Sequence, residues 1–299
     1  MKKPCYLKAG DKIRIISPAG KISPEKINHS IELLQNEGFE VEIGSHVFDS
    51  YFQFAGTDQQ RFVNLQEAFD DEDCKAVICS RGGYGTVRLI SQLDFSKFNK
   101  NPKWLVGFSD ITVLHAALQK SGFCSIHGAM PSFFLKDNNK SQSYTELINI
   151  LTGNKNVAVI PHNNNNRTGI TIGKLTGGNL SVLYSLLGTP FETDTDHKIL
   201  FLEDVGEYLY HIDRMMWSLK LAGKLERLAG LVVGGFSEVK DGDFGQSTEE
   251  IIMSIVKEYS YPVCFNYPAG HIDENLPLML GADYLLEIDK THIVLKRIL

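Results

Sequence analysis

The stretch WLVGFSDI, residues 104–111, carries the strongest indication of the fold. Its apolar start, residues 104–106, predicts a short buried strand, and apolar residues at helical spacing over 111–118 predict a helix. At a sharp turn between the two, the Ser109 hydroxyl would stand clear of the sheet and near the helix N-terminus, where negative charge is stabilised. The stretch therefore predicts an α/β unit whose turn is suited to a nucleophile.

Two interpretations of this turn compete. Ser and Asp are the usual N-cap residues, so capping alone accounts for Ser109 or Asp110 and is the simpler interpretation. The alternative is a nucleophile elbow, although the G-x-S-x-G spacing of serine hydrolases is missing.

The same alternation of strand and helix patterns runs through the first half of the chain and predicts a parallel sheet. Ligands bind at the carboxyl ends of such strands. Ser17, residues 80–83 and Ser109 each follow a predicted strand, so we expect them to gather at one edge.

The predicted fold class is α/β with two domains. Residues 1–155 form a flavodoxin-like domain with a parallel sheet, and residues 171–299 form a mixed α+β domain that ends in a hairpin over 284–295. The Asn-rich segment 156–170, which contains four consecutive Asn residues, is predicted to be a surface linker.

Composition excludes several classes of protein. The chain is 43% hydrophobic and 22% charged with a net charge of -6 and no long basic run, which argues against a nucleic-acid partner. No apolar stretch reaches the ~18 residues that span a bilayer, and the N-terminus lacks a secretory pattern. The five scattered cysteines form no C-x-x-C pair. We therefore expect a reduced, cytoplasmic protein with no metal or other cofactor and no membrane partner.

A serine nucleophile needs a base, and the base needs an orienting acid. His271, on a loop after a predicted strand, is the best candidate base. Glu203 ends an apolar strand and is a candidate acid, but Asp204 and Glu207 are equal alternatives. The N–H groups of Asp110 and of a glycine in the 82–83 turn are candidate oxyanion donors.

Several short motifs occur in a fixed order: SPAG (17–20), SRGGYG (80–85), GFSD (107–110), GGNL (177–180), LEDVGE (202–207), IDR (212–214) and GH (270–271). Together they resemble the LD-carboxypeptidase family of serine peptidases over nearly the whole chain. That family includes murein tetrapeptide carboxypeptidases and microcin C self-immunity peptidases. One departure is Ile126, where the family commonly has an aromatic residue before His-Gly.

The resemblance implies a role for each site residue. Ser109 is the nucleophile, Glu203 the orienting acid and His271 the base, while the N–H groups of Asp110 and Gly83 form the oxyanion hole. Because Ser109 lies in the first domain and the other two triad residues in the second, the active site is expected at the interdomain cleft.

The expected activity is removal of the terminal D-alanine from a murein tetrapeptide by a homodimeric, cytoplasmic enzyme. Arg81 is a candidate for binding the substrate carboxylate or for a structural pair, and Asn179 for binding substrate backbone or for capping its helix. The alternatives are a microcin C-type immunity peptidase and a non-catalytic cleft-binding protein. Trp104 and Trp217 are both expected in the core, which argues against a stacked nucleotide substrate.

Overall fold

The computed structural model of the chain describes residues 1–136, 139–154 and 157–298. The chain divides into an N-terminal unit, Met1–Asn154 with Leu276–Met279, and a C-terminal unit, Lys155–Asn275 with Leu280–Leu299. Residues 155, 156 and 299, which the predicted domain bounds include, lie outside the described residues.

The strands, in chain order, are β1 (Lys12–Ile16), β2 (Glu40–Ile43), β3 (Cys74–Cys79), β4 (Trp104–Gly107), β5 (Ser125–His127), β6 (Leu135–Lys136), β7 (Asn139–Lys140), β8 (Val157–Pro161), β9 (Gly169–Asn179), β10 (Lys198–Val205), β11 (Gly230–Ser237), β12 (Val263–Cys264), β13 (Leu278–Leu280), β14 (Asp283–Ile288) and β15 (His292–Arg297). The α-helices are α1 (Asn28–Asn36), α2 (Asp58–Asp70), α3 (Ser96–Lys100), α4 (Thr112–Lys120), α5 (Gln142–Thr152), α6 (Leu180–Ser185), α7 (Leu209–Leu221) and α8 (Thr248–Val256). Within the described ranges, no helix is both long and apolar enough to cross a bilayer.

The sheet of the N-terminal unit has the order β13-β5-β4-β3-β1-β2. Neighbouring strands from β2 to β5 pair in parallel. The order 2-1-3-4-5 of these strands is that of flavodoxin-like folds. The predicted parallel, flavodoxin-like sheet is thus confirmed, and the loops after β1, β3 and β4 emerge side by side because these three strands are neighbours.

Local sequence explains why these elements form where they do. All residues of β3 except Lys75 are buried, as expected for a strand covered on both faces. Helix α2 begins at a capping box in which the Thr57 and Gln60 side chains bond to each other's backbone N–H. Helix α5 ends at Gly153, whose φ is +88°.

The C-terminal unit contains a mixed sheet of order β12-β11-β10-β9-β14-β15-β8. The strands from β12 to β9 are parallel, and the strands from β9 through β14 and β15 to β8 are antiparallel. Helices α6, α7 and α8 bury one cluster of apolar side chains together with residues of β10 and β11. This arrangement confirms the predicted mixed α+β domain and its terminal hairpin, β14–β15.

The predicted linker over 156–170 is wrong as a description of the whole segment. Its residues 157–161 form β8, which pairs antiparallel with β15 at the edge of the sheet, and β9 begins at Gly169. The four Asn residues at 163–166 dominate the composition of the segment. The run VAVIP before them has the β-branched residues of a strand, and Val159 is 61% exposed as expected at an edge.

Candidate active site

Ser109 lies in a tight turn between β4 and α4. Its φ is +64°, a left-handed conformation that costs a non-glycine residue about 1–3 kcal/mol. Gly107 permits the turn, since a Cβ at that position would lie 2.9 Å from the Ile111 side chain. A single 3₁₀ turn, Ser109–Ile111, leads into the helix. The backbone therefore has the strained strand–turn–helix form of a nucleophile elbow without its usual glycine spacing.

Neither Ser109 nor Asp110 caps α4, so the simpler interpretation of the sequence is wrong. The residue at the N-cap of the helix is Ile111, which makes no side-chain capping hydrogen bond. The Thr86 N–H instead donates to Asp110 Oδ2 at 2.8 Å. Burial raises the pKa of this carboxyl. Asp110 thus joins the Ser109 turn to the loop that follows β3.

The glycine turn after β3 packs directly on Ser109. A Cβ on Gly82 would lie 2.7 Å from Ser109 Cβ and 3.0 Å from Ser109 Oγ, so only glycine allows this approach. The Gly82 carbonyl accepts a hydrogen bond from Gly20 N–H at 3.1 Å. Because the N–H and C=O of a trans peptide point in opposite directions, the Gly83 N–H points away from Gly20. Gly83 has a φ of +114°, which also requires glycine.

Glu203 and His271 form a close pair within the C-terminal unit. Glu203 follows the apolar part of β10 and is fully buried. His271 Nδ1 lies 2.6 Å from Glu203 Oε2, and the His271 backbone N–H donates to the same oxygen at 3.2 Å. Because a carboxylate only accepts hydrogen bonds, Nδ1 carries the proton. The neutral ring then has its lone pair on Nε2, the form that a general base requires.

The electrostatics of this pair favour the protonated imidazole. Burial by itself lowers the pKa of His271, but the hydrogen bond and the negative charge of Glu203 outweigh it and raise the pKa above 6.5. The Glu203 carboxylate is therefore placed to stabilise an imidazolium.

The structure separates the three candidate acids. Asp204 Oδ1 accepts from Asn179 Nδ2 and Val205 N–H, and Asp204 Oδ2 accepts from Ser181 N–H, each at 2.9 Å. Burial and the neighbouring charge of Glu203 raise the pKa of Asp204 to about 6. Glu207, just before α7, pairs with His211 in the first turn of that helix. Glu203 is the acid in contact with His271.

The loop that carries His271 is fixed by its own backbone contacts. The Gly270 N–H donates to Asn275 Oδ1 at 2.9 Å, and the Gly235 N–H donates to Ala269 O at 2.9 Å. Gly270 has a φ of +113°, and a Cβ there would lie 2.7 Å from Glu203 Cβ. Glycine at this position allows Glu203 to reach the imidazole.

The two residues expected to bind substrate have different surroundings. Arg81 is exposed, and its Nη1 donates to the Lys21 carbonyl at 3.1 Å. Asn179 is buried: its Oδ1 caps α6 by accepting from Val182 N–H, and its Nδ2 donates to Asp204. The capping interpretation accounts for these contacts of Asn179, and a role in substrate binding stays a prediction.

The burial of His115 and of the two tryptophan side chains differs from residue to residue. His115 is fully buried between Ser125 Oγ and the Gly107 carbonyl, and burial lowers its pKa to about 4. Trp104 is fully buried as predicted. The prediction for Trp217 is wrong, since its side chain is 44% exposed on the outer face of α7.

One residue near Ser109 was missed by sequence reasoning. Arg61, on α2, is fully buried and donates to backbone carbonyls of the loops that follow β1 and β3. An Arg within an amphipathic helix gives no signal of burial in the sequence. Within the described ranges, no three His, Cys, Asp or Glu residues are placed to hold a metal ion.

Two family models match the chain. Residues 13–128 match the LD-carboxypeptidase N-terminal domain, and residues 172–286 match the LD-carboxypeptidase C-terminal domain. The first match contains Ser109, Asp110 and Gly83, and the second contains Glu203 and His271.

A relative and two solved structures resemble the whole chain. A probable murein peptide carboxypeptidase of Bacillus subtilis is 35% identical, over 98% of this chain and 94% of its own. The crystal structure of muramoyltetrapeptide carboxypeptidase from Oxalobacter formigenes superposes with a TM-score of 0.88 at 32% identity, covering 96% of this chain and 98% of that one. The microcin C7 self-immunity protein MccF, in complex with aspartyl sulfamoyl adenosine, has a TM-score of 0.87 at 21% identity, with 98% of both chains covered, and shares the fold. From these matches, the chain belongs to the LD-carboxypeptidase family.

Proposed function

We propose that the protein is a serine LD-carboxypeptidase that removes the terminal D-alanine from murein tetrapeptides. The bond cleaved joins the L-centre of diaminopimelate or lysine to D-Ala. The observation that carries the proposal is the buried Glu203–His271 pair, with 2.6 Å between carboxylate and imidazole, in a chain of this family. The murein peptide and muramoyltetrapeptide carboxypeptidases among its relatives support the substrate class.

The proposed reaction begins with attack of Ser109 Oγ on the scissile carbonyl carbon while His271 Nε2 takes the hydroxyl proton. Glu203 stabilises the imidazolium that forms. His271 then gives this proton to the nitrogen of the leaving D-Ala, and the C–N bond breaks to leave an acyl-enzyme. Water, deprotonated by His271 Nε2, attacks the ester carbonyl carbon. The C–Oγ bond then breaks, and His271 returns the proton to Ser109 Oγ. This chemistry requires Ser109 Oγ to come within hydrogen-bond reach of His271 Nε2.

The developing negative charge on the carbonyl oxygen needs at least two donors. We assign them to the N–H groups of Asp110 and Gly83. Two features support this assignment: Asp110 follows Ser109 in the chain, and the Gly82–Gly83 turn packs on the Ser109 side chain. Arg81, exposed two residues before Gly83, is the proposed partner of the substrate's terminal carboxylate.

We further propose that the enzyme works in the cytoplasm, as a homodimer, in peptidoglycan recycling. The five cysteines support a reducing compartment, since all are free thiols and four of them are buried. The dimer follows from the family resemblance and is tested by sedimentation equilibrium of the purified protein.

The decisive experiment measures release of D-alanine from purified murein tetrapeptides in the diaminopimelate and lysine forms. The wild type is compared with Ser109→Ala and with Ser121→Ala, which removes an exposed hydroxyl at the other end of α4. Release by wild type and Ser121→Ala but not by Ser109→Ala is expected. The ratio of the two rates identifies the preferred third residue of the peptide.

Two other outcomes would replace the proposal. Hydrolysis of an aminoacyl sulfamoyl adenosine without release of D-Ala would favour the immunity-peptidase function. Binding of murein peptide by the folded protein, with no hydrolysis of either substrate, would favour the non-catalytic binding protein.

A further inference from the structure

Arg61 is a fully buried cation inside the N-terminal unit, beside the loops that surround Ser109. Its Nη1 donates to the Pro18 carbonyl at 2.8 Å and to the Gly85 carbonyl at 3.1 Å. Its Nη2 pairs with Asp58, and its guanidinium carbon lies 4.7 Å from the centroid of the Phe54 ring. Withdrawing a guanidinium from water is costly unless its donors are paired. These contacts offset that cost at Nη1 and Nη2, whereas Nε is buried without a hydrogen-bond partner among the described residues.

The two carbonyls that Arg61 binds belong to different loops. Pro18 follows β1, and Gly85 follows β3 in the glycine turn. Gly85 leaves the space that the guanidinium occupies, because a Cβ there would lie 2.7 Å from Arg61 Nη1. One side chain therefore ties the end of the glycine turn to the neighbouring loop.

The next residue of the glycine turn, Thr86, is bound by a carboxylate. The Thr86 N–H donates to Asp110, the residue that follows the proposed nucleophile. The start of the turn is held by Gly20, whose N–H donates to the Gly82 carbonyl, and Gly82 packs on Ser109. The 82–86 segment is thus fixed at its beginning by Gly20 and at its end by a cation and a carboxylate.

We propose that Arg61 is a positioning residue for the reaction: it holds the glycine turn against the Ser109 turn, so that the Gly83 N–H stays in register with the nucleophile. This inference rests on the proposed function, which makes Gly83 an oxyanion donor. Displacing such a donor removes stabilisation that acts mainly in the transition state, so the loss should appear in kcat rather than in KM.

The test replaces Arg61 by lysine, which keeps the charge but has one nitrogen in place of the guanidinium fork. The matched control is Arg88→Lys, because Arg88 shares the Asp58 partner and lies over the same Phe54 ring at 5.3 Å. Four quantities are measured for the full-length protein: the melting temperature, kcat and KM for D-Ala release, and the rate at which a fluorophosphonate probe labels Ser109.

For Arg61→Lys we expect at least a tenfold fall in kcat, a KM within threefold of wild type and a parallel fall in the labelling rate. Arg88→Lys should retain the wild-type kcat, KM and labelling rate. If Arg61→Lys does not fold, Asp58→Asn tests the same point by removing the carboxylate partner of the guanidinium, with an expected two- to fivefold fall in labelling. A folded Arg61→Lys, or a folded Asp58→Asn in its place, with wild-type kcat and labelling rate would overturn the inference.

The labelling rate also separates this inference from the proposed function. If wild type is labelled at Ser109 but releases no D-Ala, the proposed substrate is wrong, and the labelling rates of the variants still decide the role of Arg61. If Ser109 of the wild type is not labelled, it is not an activated nucleophile, and both proposals are wrong.

Discussion

Replacing Gly270 by alanine tests the Glu203–His271 pair without changing the chemistry of either side chain. The added Cβ would lie 2.7 Å from Glu203 Cβ and 2.8 Å from Glu203 Oε2. Carbon atoms in contact prefer about 3.5–4.0 Å, so Glu203 must retreat by about 1 Å. The hydrogen bond between Oε2 and His271 Nδ1, now 2.6 Å, would then exceed the ordinary range.

The size of this displacement sets the expected loss of catalytic rate. A misplacement of about 1 Å in catalytic geometry costs about 100-fold in rate, or about 2.7 kcal/mol of transition-state stabilisation. The variant also loses stability, because a residue with a side chain at φ +113° is strained by about 1–3 kcal/mol. Since the contact with Glu203 raises the pKa of His271, weakening this contact should shift the midpoint of the acid limb of the pH–rate profile to lower pH.

Gly223→Ala is the matched control for backbone strain. Gly223 lies in the same unit with a φ of +72°, and a Cβ there would meet no atom within 4 Å. Both variants are assayed for kcat, for its pH profile and for unfolding in urea. We expect both to lose stability and only Gly270→Ala to lose kcat. Equal kcat in Gly270→Ala and wild type, or an equal fall in the two variants, would refute the argument that the glycine serves the pair.

Four further outcomes are expected. Ser109→Ala and Ser109→Gly should both lose at least ~1,000-fold in kcat. In urea titrations, the unfolding free energy of Ser109→Gly should exceed that of Ser109→Ala by about 1 kcal/mol, because glycine relieves the positive φ. Glu203→Gln should lower kcat by ~10,000-fold, and if Glu207→Gln does so instead, the acid is misassigned. The acid limb of wild-type kcat/KM should have its midpoint above pH 6.5, because His271 must lose its proton and its pKa is raised; a midpoint below 6.5 would contradict this. The pKa of Asp204 is raised from 3.8 to about 6, so this carboxyl binds more protons in the folded than in the unfolded state. The unfolding free energy should therefore fall by as much as ~3 kcal/mol as the pH rises from about 4 to 6.5. A flat pH dependence of the unfolding free energy in urea titrations would exclude this contribution of Asp204.

Much of the fold follows from the sequence because its elements have one dominant periodicity. The buried run at β3 and the strand-to-helix change at residues 104–118 are set by local patterns, and the parallel sheet follows from their alternation. Edge strand β8 was not predicted, because its pairing with β15, more than 130 residues later, is a long-range contact. Strand β13 places Leu278 and Met279 in the N-terminal unit, a return of the chain that no local pattern signals.

Part of the candidate site could also be predicted from the sequence, and part could not. The positions of Ser109 and His271 at the ends of strands could be read from the chain, but the choice among three neighbouring acids could not. Alternate residues of a strand face opposite sides of its sheet, so Glu203 and Asp204 have different partners although they are adjacent. Glu203 faces the Gly270 turn, and Asp204 faces the N-terminus of α6. Only pairing across the sheet, which fixes where the Gly270 turn lies, separates the two.

Several features at the proposed catalytic groups lower the stability of the fold. Ser109 has a left-handed backbone, and Glu203 Oε1 is buried without a hydrogen-bond partner among the described residues. Next to it, Asp204 adds a second buried carboxyl group. Each of these features costs on the order of 1–3 kcal/mol, and neutral or glycine substitutes would remove the cost. A fold selected for stability alone would not concentrate them at two strand ends, whereas a nucleophile and a charged partner for an imidazole require them there.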